Sequence, residues 1–276
     1  MLVNLKEILD KAKDGGYAVP AFNVYNMETA MGILAAAEET NAPIIMQTYS
    51  RLFTNEEGYY VAAVALAAAK AAKVPICYHL DHGASKNEAI KALRYGATGI
   101  MIDKSELSME ENIAYTNQVC EMCNVLGVPV EGEIGHVGTV NDEQMGDYTT
   151  VEEAKAYVDA TGVCALAVAV GTAHGRYKKE PKLDIDRIEE ISKAIDAHVV
   201  LHGGSGIPDD AIKAAIKAGI RKINFGTDVC YAFLDKVFET SRDKIAVDIF
   251  MKDAIQNVKA FGIEKIKLLG AENKAW

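Results

Sequence analysis

Short apolar runs alternate with longer segments of helical periodicity along nearly the whole chain. A run of four to eight apolar residues indicates a buried strand, whereas apolar residues three and four positions apart indicate one face of a helix. The pattern predicts strands at residues 18–24, 43–48, 75–80, 99–102, 128–134, 165–170, 198–201 and 222–225. Helical segments lie between them, for example at residues 28–40, 56–73, 88–95, 109–126 and 209–218.

Regular alternation of strands and helices predicts β/α units with parallel strands. A doubly wound open sheet is the alternative, but it normally has a glycine-rich fingerprint after its first strand. Here the glycine motifs come late in the chain. We therefore predict an α/β fold, a single-domain (β/α)₈ TIM barrel over residues 1–276. An amphipathic helix ended by Gly15 and Gly16 should precede it, and a helical extension from about residue 231 to 269 should follow.

Charge and composition argue against some classes of binding partner. The net charge of −10 argues against nucleic acid, which would need a basic face. The longest apolar stretch, residues 61–72, is too short to span a bilayer, and the amino-terminal residues lack a signal-peptide pattern. The five cysteines are odd in number and mostly in apolar surroundings, as expected of reduced thiols. We therefore expect a cytoplasmic protein with no membrane or nucleic-acid partner.

Polar residues of unusual kinds follow six of the predicted strands. They are Asp81 and His82 after the third strand, Asp103 after the fourth, Glu131 and Glu133 in the fifth, His174 after the sixth, His202 and Ser205 after the seventh, and Asn224 and Thr227 after the eighth. All lie at carboxyl ends of strands, the face on which (β/α)₈ enzymes build their active sites. Residues far apart in sequence should therefore meet at one mouth.

Three of these residues, His82, His174 and His202, form a plausible metal triad. Neutral imidazole suits zinc, and catalytic zinc sites use three protein ligands and keep one position open. Asp81 precedes a proposed ligand, so it could support the metal site or act as a general acid and base. Asp103 and Glu133 could cap helices and pair with backbone amides, or could support the ligands or hold a further cation.

Two glycine-rich loops indicate a phosphate site. They follow the seventh and eighth strands, where barrels commonly hold phosphate on backbone N–H groups and a helix N-terminus. Ser205 and Thr227 add hydroxyl donors to these loops, and Lys178 adds a positive charge after the sixth strand. The predicted ligand is therefore a small phosphorylated molecule.

At these positions the sequence strongly resembles the class II fructose-bisphosphate and tagatose-bisphosphate aldolases. The matching stretches occur in the same order over nearly the whole chain: YAVPAFN at 17–23, HLDHG at 79–83, MID at 101–103, VEGEIG at 130–135, AVGTAHG at 169–175, LHGGSGI at 201–207 and KIN at 222–224. The resemblance implies reversible cleavage of fructose or tagatose 1,6-bisphosphate to dihydroxyacetone phosphate and glyceraldehyde 3-phosphate.

The resemblance also assigns roles to individual residues. It implies that one Zn²⁺ per subunit is bound by His82, His174 and His202, and that Asp81 donates and accepts the proton at the substrate oxygen. It implies phosphate binding by Gly175, Lys178, Gly203, Ser205, Asn224 and Thr227, with Asn224 also contacting the enediolate. A homo-oligomer, dimer or tetramer, and a nearby monovalent cation (Na⁺ or K⁺) are expected as well.

Three departures from the family pattern concern the substrate. Gly226 stands where fructose-specific relatives usually have aspartate. The segment around Ser50 and Arg51 matches neither pattern, and Arg51 resembles the arginine of a related aldolase of inositol catabolism, which acts on an acidic sugar phosphate. Arg51 could bind a carboxylate or phosphate there, or could instead make a surface or subunit contact. The loop at residues 138–150 should contain a mobile glutamate, but register places Asn141 there, with Asp142 and Glu143 adjacent.

Three other functions remain as alternatives. A Schiff-base aldolase needs a lysine in the barrel, yet Lys104 and Lys222 lie near strand ends, and we expect no lysine in a strand interior facing the other site residues. A serine hydrolase needs Gly-x-Ser-x-Gly, which the loop after His202 fails at its last position. A non-catalytic sugar-phosphate-binding barrel would not need an acid beside the metal triad.

Overall fold

The fold is a closed barrel of eight parallel strands, which confirms the predicted (β/α)₈ architecture. The computed structural model describes residues 1–135, 148–173, 175 and 181–276. The strands are β1 (Val19–Asn23), β2 (Ile44–Tyr49), β3 (Ile76–Gly83), β4 (Gly99–Ile102), β5 (Val130–Ile134), β6 (Ala165–Val168), β7 (His198–Leu201) and β8 (Ile220–Phe225). Neighbouring strands pair in chain order, and β1 closes the barrel by pairing with β8.

Helices surround the barrel. In the described part of the chain they are α1 (Leu5–Gly15), α2 (Met27–Glu39), α3 (Arg51–Thr54), α4 (Glu57–Ala71), α5 (Lys86–Arg94), α6 (Met109–Val125), α7 (Val151–Thr161), α8 (Ile185–Ala194), α9 (Asp209–Ala218), α10 (Thr227–Glu239), α11 (Val247–Phe250) and α12 (Lys252–Leu268). Among the helices of these residues, we find none with the length and apolar character needed to cross a membrane.

Local sequence signals account for many helix ends. The side chain of Asn4 accepts a hydrogen bond from the first turn of α1, and Gly16 ends that helix in the left-handed conformation at a φ of 68°. Helix α6 begins with a reciprocal capping box between Ser108 and Glu111. These caps satisfy amides that would otherwise have no partner within the helix.

The strands are buried on both faces, because helices cover the outside and side chains fill the inside. Every residue of β1 and β5 is buried. Most of the interior is apolar, but Gln47, His79, Glu131 and Lys222 are completely buried within the strands. Buried polar groups require partners, and each of these four side chains contacts another polar side chain inside the barrel.

Helix α1 covers the amino-terminal end of the barrel, opposite the predicted site. The backbone N–H of Leu5 donates to the carbonyl of Thr98, just before β4. Asp10 Oδ1 lies 2.8 Å from Nε2 of His198, the first residue of β7. The amphipathic helix predicted at the amino terminus therefore lies across the end of the barrel opposite the predicted site.

The predicted helical extension consists of α10, α11 and α12. Helix α12 packs closely on α2, since a Cβ added at Gly32 would lie 2.8 Å from Val258 Cβ and one added at Gly262 would lie 2.8 Å from Ala36 Cβ. The short helix α3 was not predicted, because four residues are too few to show a helical period. It begins at Arg51, directly after β2.

Candidate active site

Asp81 and His82 lie at an irregularity near the end of β3. The pairing of β3 with β4 shifts register between Leu80 and Gly83, and His82 adopts a φ of 49°, which is unusual for a residue with a side chain. Consecutive residues of a regular strand point to opposite faces, but here both side chains line the same cavity. Such backbone strain is typical of functional sites.

The Asp81 carboxylate is held by two amide side chains. Asn23 Nδ2 donates to Oδ2 at 2.7 Å, and Asn224 Nδ2 donates to Oδ1 at 3.1 Å. Gln47 Nε2 in turn donates to Asn23 Oδ1 at 3.0 Å. All four residues are buried, so these hydrogen bonds fix the orientation of the Asp81 carboxylate from inside the barrel. Neither Asn23 nor Gln47 was among the residues with a predicted role.

Neighbouring cations keep Asp81 ionised. Burial by itself would raise the pKa of this carboxyl, but the imidazoles of His82 and His202 and the ammonium of Lys222 outweigh it, so the pKa is lowered. Asp81 is therefore a carboxylate able to accept a proton from a bound hydroxyl group.

Two predicted metal ligands face each other across the mouth. The ring centroids of His82 and His202 are 4.7 Å apart. His82 Nδ1 lies 2.8 Å from Asp103 Oδ2, and His202 Nδ1 lies 3.1 Å from Glu133 Oε2. Asp103 and Glu133 thus contact the imidazoles, and Asp103 also accepts from the backbone N–H of Ser105 at 3.0 Å.

These side chains form two overlapping groups able to hold a cation. One ligand atom each from Asp81, His82 and His202 lies within 4.8 Å of the others, and the same holds for His82, Asp103 and Glu133. In the metal-free protein, burial opposes the charged form of His82, but Asp81 and Asp103 raise its pKa to about 10. A metal ion and a proton therefore compete for this imidazole.

A buried charged cluster lies beneath the two histidines. Lys222 Nζ is 2.9 Å from both carboxylate oxygens of Glu131. His202 Nε2 lies 3.0 Å from Glu131 Oε1, and His79 Nε2 lies 3.2 Å from Glu131 Oε2. Burial would raise the pKa of Glu131, but Lys222 and the imidazoles hold it well below its usual value.

The expectation that no lysine lies in a strand interior facing the other site residues was wrong. Strand β8 begins at Ile220, two residues earlier than predicted, and Lys222 therefore lies within it, opposite Val19 of β1. The two charged residues that precede Ile223 resemble a solvated strand end, although Lys222 is completely buried. The other candidate, Lys104, lies outside the barrel interior, with its ammonium 4.7 Å from the ring centroid of Tyr115.

A cavity of about 230 Å³ opens above Asp81. Its lining includes six residues that were predicted to bind metal or phosphate: His82, Gly175, Gly203, Ser205, Asn224 and Thr227. Ser205 Oγ accepts a hydrogen bond from the backbone N–H of Asp228, in the first turn of α10. The glycine-rich loop after β7 thus lies against a helix N-terminus, an arrangement suited to an anion.

Arg51 and two tyrosines line the other part of the cavity. The guanidinium carbon of Arg51 lies 5.3 Å from the ring centroid of Tyr49 and 5.8 Å from that of Tyr25. Arg51 makes no ion pair with a carboxylate among the described residues. It is the one lysine or arginine in the described lining, and so can bind an anionic group of a ligand.

The other two candidate specificity residues differ in position. Gly226 lines the cavity, and a Cβ added there would lie 2.9 Å from Asn23 Oδ1. Ser50 is buried beside the site, where its backbone N–H donates to the carbonyl of Asp81 at 2.9 Å. Within the described residues, Ser50 is not part of the cavity lining.

Several predicted site residues lie outside the described residues. They are the third metal ligand His174, the phosphate-binding Lys178 and the acid candidates Asn141, Asp142 and Glu143. Their assignments remain predictions from the sequence.

The strands form a closed parallel barrel, and carboxylates, imidazoles and glycine-rich loops lie together at the carboxyl ends of the strands. This arrangement is typical of (β/α)₈ enzymes. The family model for class-II fructose-bisphosphate aldolase matches residues 3–274. The chain therefore belongs to the class II fructose-bisphosphate aldolase family, whose members are lyases.

Similar proteins in the family differ in the substrates that their names give. The chain is 39% identical to a sulfofructosephosphate aldolase of Alkalicoccus urumqiensis, covering 98% of this chain and 97% of that one. It is 36% identical to a 6-phospho-5-dehydro-2-deoxy-D-gluconate aldolase of Bacillus licheniformis, covering 99% and 96%. The crystal structure of the YdjI aldolase from Escherichia coli K12 superposes with a TM-score of 0.91 at 34% identity, covering 100% of both chains.

Proposed function

We propose that this protein is a divalent-metal-dependent aldolase that reversibly cleaves a phosphorylated ketose into dihydroxyacetone phosphate and an aldehyde. The observation that carries the proposal is the Asp81 carboxylate, which is held by Asn23 and Asn224 beside His82 and His202. A barrel that only bound sugar phosphates would not need an oriented, ionised acid at this position.

The residues at the mouth fit a zinc ion. Two imidazoles and a carboxylate offer ligand atoms within 4.8 Å of one another, and nitrogen-rich sets of this kind suit zinc. We propose His82 and His202 as ligands, with His174 as the third. When bound, zinc would polarise the ketone carbonyl and stabilise the negative charge that cleavage leaves on the three-carbon fragment. An additional monovalent cation remains a prediction of the resemblance.

Asp81 is placed to move the proton. During cleavage it would accept the proton of the substrate hydroxyl next to the breaking carbon–carbon bond, and during condensation it would return that proton. The amides of Asn23 and Asn224 hold its two oxygens separately, so the carboxylate need not reorient. Asn224 also lines the cavity and is therefore our candidate for contact with the enediolate oxygen.

The phosphate of the three-carbon unit would bind between the loop after β7 and the start of α10. Gly203, Ser205 and Thr227 come together there in the cavity wall. Backbone N–H groups and a helix N-terminus favour a phosphate group. Gly175 contributes from the loop after β6, and Lys178 is our candidate for the neutralising charge.

We further propose that Arg51 binds an anionic group at the end of the ketose remote from this phosphate. Arg51 is cationic, lines the cavity and has no carboxylate partner among the described residues. Fructose and tagatose 1,6-bisphosphate have phosphate at that end. The names of two relatives indicate a sulfonated substrate and an acidic sugar phosphate, and a guanidinium can bind each of these anions through two parallel hydrogen bonds.

The first experiment is retro-aldol cleavage of a ketose panel before and after EDTA, followed by addition of zinc. The panel contains fructose and tagatose 1,6-bisphosphate, a 6-sulfonated ketose 1-phosphate and an acidic ketose phosphate. Activity lost with EDTA and restored by zinc supports the proposal, and the ratio of rates identifies the anion. Activity that survives EDTA would refute it and direct attention to a Schiff-base lysine.

Arg51→Ala tests the substrate assignment. The change should raise KM for the ketose while leaving proton exchange on dihydroxyacetone phosphate nearly intact, because that three-carbon unit lacks the remote anion. Arg51→Lys should lose less, and substitution of the exposed Arg242 by alanine provides a control for charge alone. An equal loss in cleavage and exchange would contradict the assignment.

We also propose a homo-oligomer. Helix α10 and the segment after it present exposed apolar side chains, with relative exposures of 81% for Phe238, 90% for Ile245 and 68% for Val247. Several exposed large apolar side chains in one segment of a chain are typical of an interaction surface. Light scattering of the purified protein would distinguish a dimer or tetramer from a monomer.

A further inference from the structure

We propose that the buried Glu131–Lys222 ion pair is a positioning device that holds His202 ready to bind the metal. The proposal rests on the proposed metal site and adds two residues to it that do not touch the substrate cavity. The carboxylate of Glu131 contacts Lys222, His202 and His79 inside the barrel.

The four side chains come from different parts of the barrel. Glu131 extends from β5, Lys222 from β8, His202 follows β7, and His79 lies in β3. Strands β5 and β8 are not neighbours, so the Glu131–Lys222 contact crosses the interior. All four side chains have zero solvent exposure, so their arrangement depends on these contacts and the surrounding packing.

The contacts decide which nitrogen of His202 faces the mouth. Glu131 Oε1 lies 3.0 Å from His202 Nε2, and a carboxylate only accepts hydrogen bonds. Nε2 therefore has to donate an N–H. Nδ1 faces the mouth, where it lies 3.1 Å from Glu133 Oε2, so Nδ1 is the nitrogen that would exchange a proton for a metal ion. A carboxylate behind a metal-binding histidine fixes its tautomer and orientation in this way.

The Lys222 ammonium stabilises the negative charge of the buried Glu131 carboxylate. A buried anion without a partner is strongly unfavourable, and an imidazole that binds a metal has to be neutral, so a metal-bound His202 would supply no compensating charge. The Lys222 ammonium lies 2.9 Å from both carboxylate oxygens and supplies it. In a Schiff-base enzyme the lysine would instead have to be a free amine facing the substrate.

The alternative is that this cluster only stabilises the fold. Changing one member would leave a buried charge without its partner and could unfold the protein, so the double variant Glu131→Gln, Lys222→Met is the main test. It removes both charges and keeps similar shapes, a kind of exchange that often preserves folding. The amide of glutamine can turn and donate to His202, so the orientation of the imidazole is no longer enforced.

The experiment measures zinc affinity of metal-free protein by competition with a chromophoric chelator. We expect the double variant to fold and to bind zinc about 10- to 100-fold more weakly than wild type. The ¹⁵N chemical shifts of the His202 ring should show a strongly hydrogen-bonded Nε2–H in wild type, and the Nε2 shift should change in the double variant. Asp10→Asn is the matched control, because it disrupts a carboxylate–histidine pair at the opposite end of the barrel.

Each outcome has a defined meaning. A folded double variant with zinc affinity within threefold of wild type and unchanged ring shifts would overturn the positioning role. Weaker zinc binding by Asp10→Asn to the same degree would also overturn it, because affinity would then follow stability. If wild-type protein itself bound no zinc, the proposed metal site would fail, which separates that failure from failure of this inference.

Discussion

Removing the amide that holds Asp81 should impair catalysis more than folding. Asn23→Ala deletes the 2.7 Å hydrogen bond from Nδ2 to Asp81 Oδ2, while the bond from Asn224 remains. A hydrogen bond to a charged group contributes about 1.5–3 kcal/mol. At about 1.4 kcal/mol for each factor of ten, kcat/KM should fall roughly 10- to 150-fold, provided that the full orientation is needed in the transition state.

The assay is the initial rate of retro-aldol cleavage with the ketose that the panel identifies, together with urea unfolding of each variant. Gln47→Met is the matched control, because it removes the donor to Asn23 Oδ1 without touching Asp81. It should lose only severalfold in kcat/KM. A folded Asn23→Ala protein within threefold of wild type, or a larger loss in Gln47→Met, would refute the reasoning.

A second substitution at the same position tests the electrostatic part. Asn23→Asp would place a carboxyl group where an amide now lies 2.7 Å from Asp81. Two carboxylates at this distance cannot both be ionised easily, so the pKa of the pair should rise. The acid limb of the pH–rate profile should therefore move to higher pH, and an unshifted limb would mean that Asp81 is not the group being titrated.

Three further predictions concern the cavity, the surface and the metal-free protein. Gly226→Ala should lower kcat/KM in the same cleavage assay by about tenfold. Its methyl carbon would lie 2.9 Å from Asn23 Oδ1 and would push the Asn23 amide out of position. Unchanged kinetics would contradict this. Phe238→Asp should lower the apparent mass in light scattering without changing the fold seen by circular dichroism. In EDTA-treated protein, the pKa of His82 is raised to about 10, so the protonated imidazole should make its full contribution to the stability of the fold below pH 6.5. That contribution should be lost as the pH rises through 10, so the pH dependence of Tm should be weaker in His82→Asn.

Most of the barrel could be predicted because its elements have strong periodic signals. All eight strands lie where apolar runs end at glycine, proline or polar residues, and α9 (Asp209–Ala218) coincides with the predicted helix. Helix α3 could not be predicted, since a single turn after β2 has no period to detect. Its importance is out of proportion to its length, because it positions Arg51 at the cavity.

The candidate site was partly predictable for a related reason. Residues such as His82 and His202 stand out because they are polar, follow apolar runs and adjoin glycine. Gln47 and Asn23 do not stand out, since a polar residue within a strand has the same pattern whether it faces solvent or a buried partner. Lys222 was misplaced because its partner Glu131 is 91 residues away in sequence. Only the closure of the barrel brings the two together.

The positions of these residues suggest how chemistry and specificity are separated. In our proposals, Glu131 and Asn23 orient the metal ligand His202 and the acid Asp81 from inside the barrel, where both side chains are buried. Arg51, by contrast, is exposed on a single helical turn. Changes at Arg51 should therefore alter which ketose is cleaved without weakening zinc binding. Changes at Glu131 should weaken zinc binding for every substrate alike, and a variant panel assayed for both properties would separate the two groups.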